Sequence, residues 1–372
     1  MSKAAELAAL IANVNKGSTL AAKNFIINGA QNVAQRGTSS TGIGASSGYF
    51  TTDRMQIVSE NTAGRLTMEQ VADGPDGFAN CTKLTCTTAD TSIASNEALI
   101  LNQNIEGQNL QSLKKGTSDA VPVTVSFYVK ANASATYTIE LKSGDGGTNR
   151  MNSHEFSVTT GWTRITKTFV GDTSQALDDD NNTSIQFNLW LHAGSDYTGG
   201  THTDNVWHTT NNQRVGDSNT SFFDSTSRTF FITGIQMEIG EKATEFEHIS
   251  PNVEIERCKR YYTRYNSTAP YQRLGGSGFA QTTDDFGIFI KFSPEMRGVP
   301  TLDHGTLSKL QVDYRQAGAA IGSLVIDGNT DGGHSGNLSG ADVTGDPLTA
   351  GDGVLLRANN DTDAYIAFDA EL

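Results

Sequence analysis

Between residues 190 and 220 the chain gathers side chains with the chemistry for holding a sugar. Trp190 opens the stretch, and His192, Tyr197, Trp207, Asn212 and Arg214 follow among small polar residues. A pyranose offers one apolar face and a rim of hydroxyls, so aromatic faces beside amides and a guanidinium match it. A tryptophan in so polar a run is unusual, and a long polar loop in a compact domain is often functional. The competing reading has Trp207 covering an open sandwich edge or a subunit interface. Trp162, directly after Gly161, reads as core at a strand start.

Asp327, Asn329 and Asp331, followed by Gly332, spell the opening of a calcium loop, in which alternating oxygens converge on one ion. Leu338 stands where such a loop places its bidentate acid. An Asx-rich hairpin turn therefore competes with a structural calcium here. Asp178, Asp179 and Asp180 pose the same choice between an ion and a solvated acidic loop. No other cofactor is expected. His192, His202 and His208, with Asp204 between them, have spacings that match no compact zinc site.

Catalytic groupings are weaker still. Glycosidase chemistry needs two carboxyl groups ~5–9.5 Å apart. Glu238 and Glu241 lie three positions apart, which on a strand sends them to opposite faces. The Gly42–Gly48 run is followed by no helical pattern, so it reads as a loop and not as a phosphate cradle. Cys258, beside aromatic residues, suits an inert buried thiol. The expectation is a protein that is not an enzyme.

Holding such groups falls to a chain of 372 residues with 36% apolar and 18% charged side chains, 38 glycines and 7 prolines. That composition fits many strands with polar outer faces and frequent turns, not a charged disordered chain. The net charge is −14, with no basic block, which excludes a nucleic-acid backbone or an anionic membrane surface as partner. No apolar run approaches ~18 residues, and no signal pattern opens the chain, so a soluble protein made in a bacterial cytoplasm is expected. Three cysteines cannot make a disulfide framework. Cys81 and Cys86 have opposite parity on one strand, and all three thiols read as reduced.

Period and punctuation divide the chain at 1–20, 21–249, 250–264 and 265–372. In the first segment Leu7, Leu10, Ile11 and Val14 fall at i, i+3, i+4 and i+7, one apolar stripe on a helix. An isolated helix shorter than ~12–15 residues is marginal in water. The stripe therefore needs another surface: its own domain, other copies of the chain, or a larger assembly. Residues 24–28 look strand-like, and about nine short strands without intervening helices argue for an antiparallel β-sandwich. Val123, Val125, Phe127 and Val129 alternate with Thr124, Ser126 and Tyr128, giving one buried and one wetter face. Residues 250–263 read as a connecting helix capped by Ser250, with Pro251 in its first position and Ile255, Cys258 and Tyr262 on one surface. A smaller C-terminal β domain follows.

Three stretches resemble virion appendage proteins of tailed bacteriophages, especially short-tailed phages of marine bacteria. They are 23–38 with Tyr49, Asp53 and Arg54; 230–248; and 258–262 with Met296, Arg297, Pro300 and Thr301. Between the first two, 125–130 with Gly161 and Trp162 look like the jelly-roll strands of carbohydrate-binding modules. Relatives commonly carry Trp after Asp-Arg, where this chain has Met55. The resemblance implies a tail fibre subunit, homotrimeric, located on the virion and mounted on other virion proteins through its N-terminal helix. It also implies a jelly-roll that touches host surface polysaccharide. A head fibre or capsid decoration, a structural tail component without a receptor role, and a glycan depolymerase stay open as alternatives.

Overall fold

The computed structural model describes Lys3 and residues 23–327 and 332–372. The stripe Leu7, Leu10, Ile11 and Val14, and the loop residues Asn329 and Asp331, lie outside the described residues.

The fold is mainly β, with antiparallel sheets throughout. One six-stranded sheet runs β1 (Ser39–Ile43), β4 (Arg65–Val71), β5 (Cys81–Thr88), β12 (Thr229–Ile239), β7 (Val123–Ala131), β10 (Thr163–Phe169). The other runs β2 (Gly48–Tyr49), β3 (Gln56–Glu60), β6 (Ala98–Glu106), β11 (Thr183–Ala193), β8 (Ala135–Ser143), β9 (Arg150–Val158). Their inner faces share one core. Phe127 of β7 meets Phe156 and Phe187 of the opposite sheet edge-on at 5.2 and 6.4 Å, and Tyr137 meets Phe230 at 5.5 Å.

The alternation along β7 places Val123, Val125, Phe127 and Val129 in this core. Its other face is less wet than the pattern implies, because Thr124 and Ser126 are buried as well. Residues 240–247 strap across them: Thr124 donates to the Gly240 carbonyl at 2.7 Å, and Glu247 N–H donates to Gln236 Oε1 at 2.8 Å.

Two expected elements are corrected. Residues 24–28 form turns, not a strand, because the Asn28 side chain folds its own backbone. Its amide group donates to the Val33 and Asp53 carbonyls and its oxygen accepts from Val33 N–H, while its φ is +60°. The connecting helix spans Pro251–Lys259, so Tyr262 starts β13 (Tyr262–Asn266) and shares no helix face with Ile255. The Ser250 carbonyl accepts from Val253 and Glu254, but its hydroxyl makes no cap.

A second core spans Leu274 to Ala370. It lies under a seven-stranded sheet ordered β18 (Ala317–Ala320), β17 (Leu310–Tyr314), β21 (Gly353–Ala358), β14 (Arg273–Ala280), β15 (Phe286–Lys291), β20 (Ser335–Ala341), β19 (Ser323–Ile326), and a three-stranded sheet of β13, β22 (Tyr365–Asp369) and β16 (Thr301–His304). Ion pairs join it to the sandwich, Arg36 to Asp369 at 2.9 Å and Arg54 to Glu371, and Arg260 at the end of the connecting helix pairs with Glu106 at 2.8 Å.

Candidate functional site

The outer face of the second sheet carries a polar floor that register alone assembles. Gln56, Asn102, Asn188, Glu140 and Ser153 lie in one row across β3, β6, β11, β8 and β9. Asn104, Gln186 and Lys142 form the next row. Strand residues two apart share a face, so amides repeat at alternate positions in β6 and β11 while Leu101, Phe187 and Leu189 point inward.

The segment 194–220 folds over this floor. Met151 and His208 pair as an antiparallel bridge at 2.9 Å, Val215 N–H reaches the Tyr197 carbonyl at 3.1 Å, and Thr220 N–H reaches that of Thr136 at 2.7 Å. Arg214 grips Glu140 with two bonds, Nε to Oε1 at 2.7 Å and Nη2 to Oε2 at 2.9 Å. Asn188 and the Trp190 indole N–H also donate to Glu140 Oε2, at 2.8 and 3.1 Å. Burial pushes the Glu140 carboxyl up, but Arg214 and these donors outweigh it and hold it below the usual carboxylate range. The Arg214 guanidinium lies over Trp190 at 4.6 Å, and the half-buried Tyr197 ring meets Trp190 tilted by 46° at 4.9 Å. Tyr197 donates its hydroxyl to Glu60 at 2.6 Å.

Unspent hydrogen-bonding capacity borders this cluster. Gln56 and Lys142 are half-exposed, and neither side chain has a hydrogen bond or ion pair. Burial and then the charge of Arg214 lower the Lys142 pKa. Gln186 donates to Asn104 Oδ1 at 3.0 Å and keeps its own oxygen free. Asn102 is buried, donates to Asn188 at 2.7 Å, and leaves its Oδ1 without a partner.

The five sequence-predicted glycan residues therefore have different places. Tyr197 borders the polar floor, and Asn212 is exposed on the covering segment. Arg214 is spent on Glu140 and is 8% exposed. His192, expected at the loop surface, is fully buried because β11 continues to Ala193. Its ring lies between Ser221 at 2.7 Å and Glu97 at 3.0 Å. Trp207 is half-buried. Its indole N–H donates to the Val170 carbonyl at 2.7 Å, and its ring packs on the core beside Leu113, Leu141 and Phe169. It covers one end of the sandwich core.

Sequence reasoning missed Gln56, Asn102, Asn104, Glu140, Lys142 and Gln186. Their signal was present: amides and charges at period two inside otherwise apolar strands.

Asp327 directly follows β19 (Ser323–Ile326), its N–H donating to the Asn337 carbonyl at 2.7 Å. Asp180 accepts from Asn182 N–H at 3.0 Å within its own loop. Among the described residues no group of three or more His, Cys, Asp or Glu side chains could hold a metal ion. Glu238 accepts from Thr244 N–H at 2.8 Å and Gln236 at 2.7 Å, tying down the strap, and Glu241 is exposed. The Gly44-Ala-Ser-Ser-Gly48 run has the spelling of a nucleophile elbow, but it links β1 to β2 with no helix after it. No helix among the described residues is long and apolar enough to cross a membrane.

No family model and no curated protein matches this chain. Among solved structures, a family 4 carbohydrate-binding module aligns at 14% identity and a TM-score of 0.29, over 57% of this chain and 98% of its own. A family 11 carbohydrate-binding module of a Clostridium thermocellum cellulosomal cellulase aligns at 10% identity and 0.30, over 60% and 100% respectively. The enzymatically active domain of tailspike protein 4 of bacteriophage CBA120 aligns at 10% identity and 0.30, over 59% of this chain and 22% of that one.

Proposed function

We propose that this chain is a non-catalytic glycan-binding subunit of a bacteriophage appendage, a tail fibre that contributes to attachment on host surface polysaccharide. The observation that carries the glycan reading is the unspent polar capacity on the outer face of the second sheet. Gln56 and Lys142 keep free amide and ammonium groups and Gln186 a free amide oxygen, on the same sheet face that carries the half-buried Tyr197 ring against Trp190. The Arg214–Glu140 pair fixes that ring's platform, so the site is rigid before a ligand arrives. A sugar hydroxyl or carboxylate would give Lys142 the acceptor it lacks, relieving a charge that burial disfavours. The phage reading rests on the resemblance of 23–38, 230–248 and 258–262. It carries with it a homotrimer mounted on other virion proteins.

The test is binding of the purified full chain to an array of bacterial surface polysaccharides, wild type against Lys142→Ala and Tyr197→Ala. Each variant should lose at least about tenfold in affinity, the equivalent of ~1.4 kcal/mol, with an unchanged melting temperature. Wild type binding no polysaccharide, or both variants binding as wild type does, would overturn the reading.

A further inference from the structure

A cavity of about 430 Å³ opens between residues 30–35 and residues 246–255, away from the polar floor of the second sheet. Half-buried Val33, Ala34, Phe246, Ile249 and Ile255 give it apolar walls. Glu254 anchors one side by accepting from Asn28 N–H at 2.7 Å. The chain enters the described structure beside this groove. Lys23 Nζ donates to the Glu245 carbonyl at 3.2 Å, Asn24 N–H donates to Glu247 at 3.0 Å, and Arg257 donates to the Asn24 carbonyl at 3.2 Å. Residues 23 and 24 are thus held against the 245–247 stretch of chain and the helix Pro251–Lys259, which both border the groove.

Upstream of that point the sequence carries Leu7, Leu10, Ile11 and Val14, apolar at helical spacing and in need of a surface. Residues 15–22 separate Val14 from Lys23, and fully extended they span up to roughly 29 Å. That reach is ample to turn back over a groove that begins at Phe246, next to the Glu245 carbonyl that Lys23 holds. We propose that the groove seats the chain's own N-terminal stripe, Leu7 to Val14, in cis. A short tether keeps the stripe at high effective concentration, and the entropy of closing so short a loop is small. Both terms favour the chain's own segment over that of a second copy. A stripe seated this way is not the contact between subunits, so an oligomer would be built from another surface. The glycan reading is independent of this one, because no residue is shared.

Two measurements on the full chain decide it. Hydrogen exchange at 246–255 should rise several-fold in Leu10→Asp/Val14→Asp while β11 exchanges as in wild type. If that variant melts early, Leu10→Ala/Val14→Ala replaces it. Then Asn13→Cys/Asn252→Cys, whose first position flanks the apolar stripe, is cross-linked with a short bis-maleimide in a mixture of isotopically light and heavy protein; the native thiols are buried. Cross-linked peptides that pair only light with light and heavy with heavy support seating in cis. Mixed light–heavy pairs would assign the groove to a second copy and overturn the proposal. Unchanged exchange at 246–255, or no cross-link, would overturn it too.

Discussion

Arg214 and Trp207, one cationic and one aromatic, come from a single polar stretch, yet the structure gives them opposite surroundings. Arg214 reaches a buried carboxylate on the sheet, and Trp207 turns around the sandwich end onto the core. From the sequence, the polar stretch is legible as a covering segment with aromatic content. Which of its side chains point down is not, because that depends on the His208–Met151 bridge, a contact between residues far apart in the chain. Two outcomes follow from these placements. Glu140→Gln should destabilise by about 3–5 kcal/mol in denaturant titration, since it leaves a buried guanidinium without its counter-charge. A loss under about 1 kcal/mol would mean that water reaches Arg214. Trp207→Ala should lower stability by about 2–3 kcal/mol, less than a fully buried ring because the indole is only half-buried. Its glycan binding per folded molecule should match wild type, and selective loss of binding at an unchanged melting temperature would return Trp207 to the ligand site.

Strands were readable where apolar residues alternate and obscure where they do not. The period-two run in β7 announced its inner face directly, so Phe127→Ala should cost about 3–5 kcal/mol in the same titration. A melt within error of wild type would show that Phe127 does not contact Phe156 and Phe187. By contrast β1, Ser39–Ile43, is mostly polar and exposed, and β4 carries Glu69 and Gln70 among its residues. Such segments pair because neighbouring strands offer hydrogen bonds, and local composition holds no sign of those neighbours. The helix Pro251–Lys259 shows the same limit at its end. Pro251 marks the start from the sequence alone, but the stop is set by β22, which draws Tyr262 through Asn266 into a sheet. Residues 24–28 failed in the other direction, because an apolar run read as a strand was bent by one asparagine side chain.

At the scale of the molecule, the sandwich and the C-terminal unit meet through buried charge, and that joint makes stability depend on pH. Asp53 sits there, accepting from Gln35 N–H at 2.8 Å, near Arg36 and Glu371. Burial pushes its pKa up to about 6, against the lowering effect of the Gln35 bonds and Arg36. The folded state therefore holds the Asp53 proton more tightly than the unfolded chain, whose aspartates titrate near ~3.9. Its contribution is fully present below that unfolded value and is lost as pH rises through about 6. Between pH 5 and pH 8 this group should cost the fold on the order of 1–2 kcal/mol. Glu106 and Glu140 act in a different window. Their folded pKa values lie below the usual range, so their contribution is present at neutral pH and fades only as pH falls below about 4.5. Above pH 5 burial also lowers the His154 and His208 pKa values, which favours the fold as pH rises, so Asp53 is read as a difference between two proteins. Going from pH 5.5 to pH 8, wild type should lose more stability, or gain less, than Asp53→Asn, which cannot ionise. Parallel slopes for the two proteins would mean that Asp53 is charged throughout, with Arg36 and Arg54 compensating it. Because Arg36 and Arg54 also hold Asp369 and Glu371, loss of stability at high pH should begin at this joint. Hydrogen exchange should then rise first in β13 and β22, while β7 and β11 in the sandwich keep their protection.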